Sequence, residues 1–219
     1  MNAAFQRQLD RRLERCGSSS MRVLAYPGIE AAENNPYTRL LYGKMRAHVD
    51  SFSNSRALRE NYDVLHIHWP EWELSQWKNP VRVLYQLRLK LFAIDVLRAR
   101  GAKVVWTIHN LEAHDGLHPR LERWFWREFI KRLDGYIALT AGGRTSALER
   151  FPALQHITGF VIPHGHYRSE YRSECETDSR HELGLPPDAD IILFFGHIRP
   201  YKNVPSLIAA FQQANVPQV

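Results

Sequence analysis

Apolar runs alternate with longer segments of helical periodicity along most of the chain. Short apolar runs typical of strands occupy residues 22–27, 62–69, 103–109, 135–140 and 160–165. Segments with the spacing of amphipathic or buried helices occupy residues 37–49, 81–101, 120–133 and 142–150. Because strand and helix alternate over short connections, the pattern predicts an α/β fold built on a doubly wound, mostly parallel sheet.

A second, shorter stretch repeats this rhythm near the C-terminal end. Residues 167–183 have no apolar periodicity and are interpreted as a linker. A strand-like apolar run that ends at Gly196 follows, and then a loop and a helix that Asn203 can cap. We therefore expect a complete Rossmann-like domain at 21–166 and the first βα unit of a second, truncated Rossmann-like domain at 184–219.

The composition is that of a globular protein without a secretion signal. The 44% apolar content is enough for a packed core, and no stretch approaches the length of a membrane span. Residues 1–20 are polar and lack the apolar middle of a signal peptide, so they are interpreted as a leader that is helical or disordered. Cys16 and Cys175 lie far apart without CxxC spacing, which favours a reducing, cytoplasmic location.

Positive charge is concentrated in one part of the sequence. The formal net charge is +6, and residues 80–132 alone contain eleven Lys or Arg against five Asp or Glu. The helix predicted at 120–133 places Arg123, Arg127 and Lys131 opposite its apolar side. A core helix with a basic outer face is the simpler interpretation, and it is compatible with contact to an anionic surface at the inner face of the cell membrane. None of the usual nucleic-acid-binding motifs occurs in the sequence.

Polar side chains cluster where the predicted strands end. They follow three of the strands in turn, as His66, His68 and Glu71, then residues 109–115, then His164 and His166. In open parallel sheets ligands bind at the carboxyl ends of the strands, so these residues are candidates for a site. No GxGxxG follows a strand, and a dinucleotide cofactor therefore has no support.

The histidine pairs leave two kinds of chemistry open. His66 with His68, and His164 with His166, have a spacing that could hold a metal ion, which supports a metal-dependent hydrolase as an alternative. Against it, no HExxH motif occurs and carboxylates are not placed beside these pairs. Histidines that form hydrogen bonds in the core are favoured, and we expect neither a metal nor another cofactor.

Five motifs occur in the order found in a known family of enzymes. They are "NNPYTRLLY" (34–42), "YDVLHIHWPEW" (62–72), "VVWTIHNLEAHD" (104–115), "IPHGHYRSEY" (162–171) and "FFGHIRPYKN" (194–203). Together they resemble the two-domain, GT-B-type glycosyltransferases, and among these the inverting GDP-mannose:glycolipid β-1,4-mannosyltransferases of xanthan-type exopolysaccharide assembly. The resemblance implies a nucleotide-sugar donor, GDP-mannose, and a lipid-linked saccharide acceptor.

The last of these motifs resembles the loop that meets the donor diphosphate in the family. Gly196 ends the apolar run, and Arg199 and Lys202 supply positive charge ahead of the final helix. The leaving diphosphate gains negative charge as the glycosidic bond breaks, so such cations would stabilise the transition state more than the ground state. Asn203 replaces the usual glycine of the family, and asparagine tolerates unusual backbone angles. Two solvated surface cations are the alternative.

An inverting transferase needs a general base that takes a proton from the acceptor hydroxyl. Asp115 and Glu71 both follow strand ends and are the candidates. Asp115 is favoured because it shares a loop with His109, and a neighbouring imidazole can tune the pKa of a carboxylate. Either carboxylate could instead cap a helix or lie in solvent.

The resemblance implies roles for four further residues. His109 of "TIHN" looks like the histidine that faces the transferred sugar, and His164 would lie near the cleft between the two domains. Asn35 and Tyr37 open the first loop and are expected to contact the acceptor, although Asn35 could equally cap a helix.

In the family, later parts of the second domain hold the nucleoside, and the sequence stops before them. Two interpretations follow from this. The chain is either a fragment of a longer transferase or an inactive remnant that binds an acceptor or a membrane.

Overall fold

The computed structural model of the protein describes residues 20–29, 36–113, 116–168, 170, 176–196, 198–199 and 202–214. The chain divides into two compact units, Met1–His166 and Tyr167–Val219. The described strands all lie in the first unit. No helix in the described ranges is long and apolar enough to cross a membrane.

A six-stranded parallel sheet forms the centre of the first unit. Its strands are β1 (Arg22–Tyr26), β2 (His48–Ser51), β3 (Val64–Ile67), β4 (Lys103–Ile108), β5 (Gly135–Ala138) and β6 (Thr158–Val161). They lie in the order β2-β1-β3-β4-β5-β6. The predicted α/β class and parallel sheet are therefore confirmed.

Helices of the first unit connect these strands. They are α1 (Tyr37–Gly43), α2 (Asn54–Arg59), α3 (Trp72–Gln76), α4 (Pro80–Ala99), α5 (Pro119–Ile130) and α6 (Ala141–Arg150), and a 3-10 turn (Pro152–His156) follows α6. Local sequence signals set several helix ends. The Asn79 side chain accepts a hydrogen bond from the Val81 N–H at 2.9 Å and caps α4. Beyond α4, Gly101 has a φ of +95°, which glycine adopts without strain.

The predicted helix at 37–49 is wrong in its second half. Helix α1 ends at Gly43, and residues 48–51 form β2 instead. This strand lies at the edge of the sheet and pairs only with β1, with Arg22 opposite His48. An edge strand needs no continuous apolar run, and the sequence of β2, HVDS, has none. The pairing that forms it comes from β1, which lies 22 residues or more earlier in the chain.

The last predicted strand of the first unit is displaced. Strand β6 spans Thr158–Val161 rather than 160–165. Its position is fixed by hydrogen bonding to β5, with Gly135 opposite Thr158 and Ala138 opposite Val161. The apolar run in the sequence therefore marks the end of this edge strand rather than its centre.

The sheet has two different faces in the middle of the first unit. On one face, the Trp106 ring lies 5.2 Å from the Trp126 ring and 5.7 Å from the Phe129 ring, and all three are buried. Because side chains alternate along a strand, Thr107 faces the other side, where it meets His66. An aromatic core thus covers one face, and buried polar groups cover part of the other.

Helix α5 follows the predicted pattern, with a buried apolar side and an exposed basic side. The buried side chains are Phe125, Trp126, Phe129 and Ile130, and the exposed ones include Arg123, Arg127 and Lys131. The interpretation of this segment as a core helix with a basic outer face is confirmed.

The strand order reverses direction next to β1. From β1 the chain goes outward to β2, then crosses back to β3 on the other side of β1 and continues to β6. The crossover connections after β1 and after β3 thus depart in opposite directions. In doubly wound sheets, ligands bind in the crevice that this reversal opens at the carboxyl ends of the strands.

The second unit contains two described helices, α7 (Glu176–Glu182) and α8 (Val204–Gln213). Helix α7 lies inside the predicted linker at 167–183. The predicted helix after Asn203 is present. The predicted strand before Gly196 is not paired with any described residue, because no described segment of this unit offers it a neighbouring strand.

Candidate active site

Side chains from three consecutive strand ends meet beside the β1–β3 crevice. Helix α1, which follows β1, contributes Tyr37 and Tyr42. The end of β3 contributes His66 and His68, and the end of β4 contributes Thr107 and His109. The structure therefore brings together Tyr37, His66, His68 and His109, which are far apart in the sequence.

Tyr42 joins the two histidines of β3. Its hydroxyl lies 3.1 Å from Nδ1 of His66 and 2.8 Å from Nε2 of His68. On its other side, Nε2 of His66 lies 2.8 Å from Oγ1 of Thr107. All four residues are buried, and His68 has no exposed surface. Buried polar groups of this kind are costly without partners, and here each one has at least one.

His109 extends this arrangement toward the surface. Its Nε2 lies 3.1 Å from Nδ1 of His68. Its ring stacks on Trp69, with 4.5 Å between ring centroids and 27° between planes. His109 is only partly buried, unlike His66 and His68. It is therefore the member of the histidine group that a small molecule could reach.

All three histidines of this group are neutral near pH 7. Burial, and to a smaller extent the neighbouring imidazoles, lower the pKa of His66 to about 4 and that of His68 to about 2. Burial, and then the nearby His164, lower the pKa of His109 to about 4. The group therefore offers hydrogen bonds without positive charge, which suits an uncharged ligand better than a phosphate.

Tyr37 and His164 lie beside His109. The Tyr37 ring packs edge-on against His109 at 5.0 Å and lies 4.8 Å from the His164 ring. Tyr37 is largely buried, whereas His164 is exposed, and Nδ1 of His164 lies 2.6 Å from the carbonyl oxygen of Gly165. These contacts place both residues at the same edge of the sheet as His109.

Glu71 is a buried carboxylate two residues after Trp69. Only 6% of its surface is exposed. Its Oε1 accepts a hydrogen bond from Nδ2 of Asn110 at 2.8 Å, and its Oε2 is buried without a hydrogen-bond partner among the described residues. Burial raises the pKa of Glu71 to about 7, against the opposing effect of Asn110. The side chain neither caps α3 nor lies in solvent, so neither of those two alternatives holds for Glu71.

A buried ion pair holds the backbone next to Glu71. Nζ of Lys90 donates hydrogen bonds to the carbonyl oxygen of Pro70, at 3.1 Å, and to Oε2 of Glu73. The same nitrogen lies 4.1 Å from the centroid of the Tyr26 ring, and the Tyr26 hydroxyl donates to Glu73 at 2.9 Å. Burial lowers the pKa of Lys90, and Glu73 opposes this effect. Removal of either charge would leave its partner buried and unpaired.

The described residues contain no group of three or more His, Cys, Asp or Glu arranged to hold a metal ion. In the histidine group, both nitrogens of His66 and both of His68 already lie within hydrogen-bonding distance of other side chains. These contacts favour the interpretation of the pair as hydrogen-bonding histidines.

The residues predicted to bind the diphosphate lie in the second unit, ahead of α8. Gly196 has a φ of +127°, and Arg199 and Lys202 are exposed. Asn203 has a φ of +52°, so it adopts the left-handed conformation that a glycine at this position would favour. Its side chain does not cap α8 as expected. Instead Oδ1 of Asn203 accepts a hydrogen bond from Ser206 Oγ at 2.7 Å, because the left-handed backbone replaces the usual extended cap geometry.

Two predicted site residues, Asn35 and Asp115, lie outside the described residues. Sequence reasoning also missed two residues that the structure brings to the site, namely Tyr42 and Thr107. Each of them lies inside a motif of the resemblance. The available signal was their position after β1 or at the end of β4, where side chains approach the crevice.

A separate groove lies between the second half of α5 and the segment that follows α6. Its volume is about 480 Å³. Its apolar lining includes Trp126, Ile130, Phe151 and Ile157, and its charged lining consists of Arg123, Arg127, Lys131 and Arg150. We call this surface the basic groove.

The comparisons with known proteins give two relatives and no matching family model. A GDP-mannose:glycolipid 4-beta-D-mannosyltransferase of Xanthomonas campestris pv. campestris is 30% identical over 190 residues, which is 86% of this chain and 49% of the relative. The protein of the same name from strain ATCC 33913 of that pathovar matches to the same extent. This chain thus spans about half the length of the curated relatives that it matches. The comparison supports a relationship of this chain to glycosyltransferases, over 86% of its length.

Proposed function

We propose that the protein is a glycosyltransferase that moves mannose from GDP-mannose to a lipid-linked saccharide acceptor, with inversion at the anomeric carbon. The observation that carries this proposal is the 30% identity over 190 residues to two proteins named GDP-mannose:glycolipid 4-beta-D-mannosyltransferase. The location of the polar cluster supports it, because the cluster lies where doubly wound sheets bind ligands.

In this proposal the first unit supplies the groups that face sugars. His109 is partly exposed and neutral, so it can form a hydrogen bond to a sugar hydroxyl without attracting the diphosphate. Tyr37 and His164 line the same edge beside it. Asn35, which belongs to the same motif as Tyr37, is assigned to the acceptor on the resemblance alone.

The general base is assigned to Asp115, and a supporting role to Glu71. The pKa of Glu71, near 7, would suit a base, but its Oε2 is buried, so an acceptor hydroxyl does not reach it in the described conformation. Asp115 follows His109 by six residues in the sequence, and its assignment rests on that sequence position. Glu71 instead orders the loop after β4 through its hydrogen bond with Asn110.

The second unit is assigned to the donor diphosphate. Arg199 and Lys202 precede α8, whose N-terminal N–H groups add a partial positive charge. Gly196 has the backbone angles of a loop that can approach a ligand closely. Cations in this position stabilise the charge that grows on the leaving group.

The basic groove is proposed as the contact with an anionic membrane surface, which would bring the enzyme to a lipid-linked acceptor. Its apolar floor can receive acyl chains, and all four charged residues that line it are cations. Glu128 forms ion pairs with Arg127 at 3.5 Å and Lys131 at 2.9 Å, so Arg123 and Arg150 carry most of the proposed attraction.

A transfer assay with a panel of donors tests the proposed function. The full-length gene product is incubated with a lipid-linked saccharide and radiolabelled GDP-mannose, or with labelled UDP-glucose as the comparison donor. We expect label in the lipid fraction only with GDP-mannose. Transfer from UDP-glucose alone would contradict the assigned donor, and hydrolysis of GDP-mannose without transfer would contradict the assigned reaction.

A further inference from the structure

The hydrogen bonds around Tyr42 form one unbranched series. It starts at Thr107, passes through His66 to Tyr42, and continues through His68 to His109. No hydrogen bond was found from Nδ1 of His109 to a described residue, so this nitrogen is the open end of the series. The other imidazole nitrogens in the series each face one partner.

The number of hydrogens limits how this series can be arranged. A neutral imidazole carries one N–H and one lone pair, and the Tyr42 hydroxyl carries one hydrogen. If Tyr42 donates to His66, it accepts from Nε2–H of His68, and His68 then accepts at Nδ1 from Nε2–H of His109. If Tyr42 donates to His68 instead, every donor in the series becomes an acceptor. The three histidines carry their hydrogens on Nε2 in the first arrangement and on Nδ1 in the second.

Arrangements that mix the two tautomers are unfavourable. If Tyr42 accepted from both His66 and His68, its own hydrogen would need a third partner. Tyr42 is only 3% exposed, and its hydroxyl has no other hydrogen-bond partner among the described residues. If both histidines turned lone pairs toward Tyr42, its single hydrogen could satisfy only one of them. Either arrangement leaves a buried polar group unpaired, which is costly.

We propose that this series is a tautomer relay, in which the three histidines share one tautomer. The shared tautomer decides whether Nδ1 of His109 donates or accepts a hydrogen bond. The members of the relay are Thr107, His66, Tyr42, His68 and His109. Tyr42 and Thr107 are positioning residues, since they act on a ligand only through His109. In the first arrangement Nδ1 of His109 is an acceptor, and in the second it is a donor.

The relay determines which kind of ligand group can form a hydrogen bond with Nδ1 of His109. It changes between its two arrangements without gaining charge, and a hydroxyl, which can either donate or accept, can form a hydrogen bond with Nδ1 in both of them. A phosphate oxygen only accepts, so it can do so only in the second arrangement. A sugar hydroxyl therefore fits both arrangements of the relay. The assignment of that hydroxyl to a sugar substrate rests on the proposed function, whereas the shared tautomer does not.

Nitrogen NMR of the 219-residue chain labelled with 15N-histidine tests the relay, because the shifts of Nδ1 and Nε2 identify the tautomer. The three resonance pairs are assigned by single substitutions of His66, His68 and His109. At pH 7.5 we expect all three histidines to carry the hydrogen on the same nitrogen. A mixed pattern in the unsubstituted protein would overturn the proposal.

Two substitutions impose different patterns. In Thr107→Val, Nε2 of His66 faces a methyl group, and a buried unpaired N–H costs more than an unpaired lone pair, so all three histidines should carry the hydrogen on Nδ1. In Tyr42→Phe, the same reasoning puts the hydrogen on Nε2 of His66 but on Nδ1 of His68 and His109. The favoured tautomer should exceed the other by roughly tenfold or more in each case.

Tyr62→Phe is the matched control, because the Tyr62 hydroxyl is also part of a hydrogen-bonded cluster but bonds Asp50 and Glu60 instead. It should leave the three tautomers unchanged. If Thr107→Val changed only His66 in a folded protein, the relay would be disproved. Because the readout is spectroscopic, a protein without transferase activity could still confirm the relay, and an active transferase could still lack it.

Discussion

The two units of the molecule use similar sequence patterns with different results. In the first unit, the apolar run of β4 lies between two neighbouring strands, and its Trp106 is fully buried. In the second unit, the apolar run before Gly196 has no described neighbouring strand, and Phe195 is 92% exposed. An apolar run becomes a buried strand only when other segments supply hydrogen-bonding partners and a covering layer.

The same contrast applies to the chemistry of the two units. The first unit holds its polar groups in a buried, hydrogen-bonded arrangement of neutral side chains around His68. The second unit presents exposed cations, Arg199 and Lys202, ahead of a helix. We therefore expect substitutions in the first unit to affect folding, acceptor and proton transfer, and substitutions in the second to affect the donor.

The largest effect is expected from Asp115→Asn in the full-length gene product. A general base contributes roughly 10²–10⁴-fold to a rate, so transfer should fall by up to about 10⁴-fold. Donor affinity, measured by calorimetry with GDP-mannose, should stay unchanged because the base acts on the acceptor. Glu71→Gln is the matched variant, and it should reduce transfer less. The reverse order of the two variants would move the base to Glu71.

Truncation of a buried aromatic side chain in the first unit should lower the unfolding free energy far more than truncation of an exposed one in the second unit. Phe129→Ala removes a fully buried ring that stacks on Phe125 at 5.6 Å, and such changes cost about 3–5 kcal/mol of unfolding free energy. Phe195→Ala should change it by less than about 0.5 kcal/mol, as for exposed positions. Urea unfolding followed by circular dichroism measures both. Equal losses would show that Phe195 is packed in solution.

Arg199→Ala and Lys202→Ala should slow turnover without unfolding the protein. Each removes a charged donor from a transition state whose negative charge is growing, which costs roughly 10²–10³-fold in rate. Both side chains are exposed, so their loss should leave the unfolding free energy nearly unchanged. Steady-state kinetics and urea unfolding test the two halves of this expectation. Near-normal rates in both variants would refute the diphosphate role.

Glu71 should make the stability of the chain depend on pH. The pKa of Glu71 is raised to about 7 by folding, from the ordinary value of 4.5, so the penalty on its charged form is absent at low pH and grows as pH rises through 4.5 to 7. Between pH 5 and pH 8, wild type should lose about 2–3 kcal/mol of unfolding free energy relative to Glu71→Gln.

Urea unfolding of both proteins at the two pH values measures the Glu71 effect. Glu112→Gln, at an exposed position, is the control and should show no such difference from wild type. A gap between wild type and Glu71→Gln that stayed constant with pH would contradict the buried, partly protonated carboxylate.

The smallest of these effects is expected at the basic groove. Arg123→Ala combined with Arg150→Ala should weaken binding to vesicles of anionic lipid by about 30-fold, since each basic residue near such a surface contributes about 1 kcal/mol. Arg59→Ala with Arg88→Ala removes two exposed arginines that do not line the groove. Flotation of the two double variants compares them directly. Equal binding of both would contradict a role for the groove.

The sequence predicted the parts of the fold that depend on local pattern. Strands β1, β3, β4 and β5 and helices α4, α5 and α6 lie within a few residues of their predicted positions because the strands are short apolar runs and the helices are longer segments between them. Strand β2 was missed because its pairing with β1, rather than its composition, makes it a strand. The run before Gly196 was predicted as a strand because its composition is apolar. No described strand lies there, because no described segment pairs with it.

The sequence predicted the positions of the three histidines of the candidate site but not the residues that connect them. Sequence position placed His66, His68 and His109 at strand ends, which is where the structure has them. His66 and His68 share the Tyr42 hydroxyl because of how α1 packs over β3, and no sequence motif predicts that packing. The burial of Glu71 depends likewise on the packing around α3.

The central proposal is transfer of mannose with inversion, and the product itself tests it most directly. The full-length gene product is incubated with a lipid-linked saccharide and GDP-mannose carrying 13C at C1, and the new linkage is identified by its one-bond carbon–proton coupling. We predict a single β-linked mannose on the acceptor and release of an equal amount of GDP. An α-linked product, or release of GDP with free mannose and no linkage, would contradict the proposal.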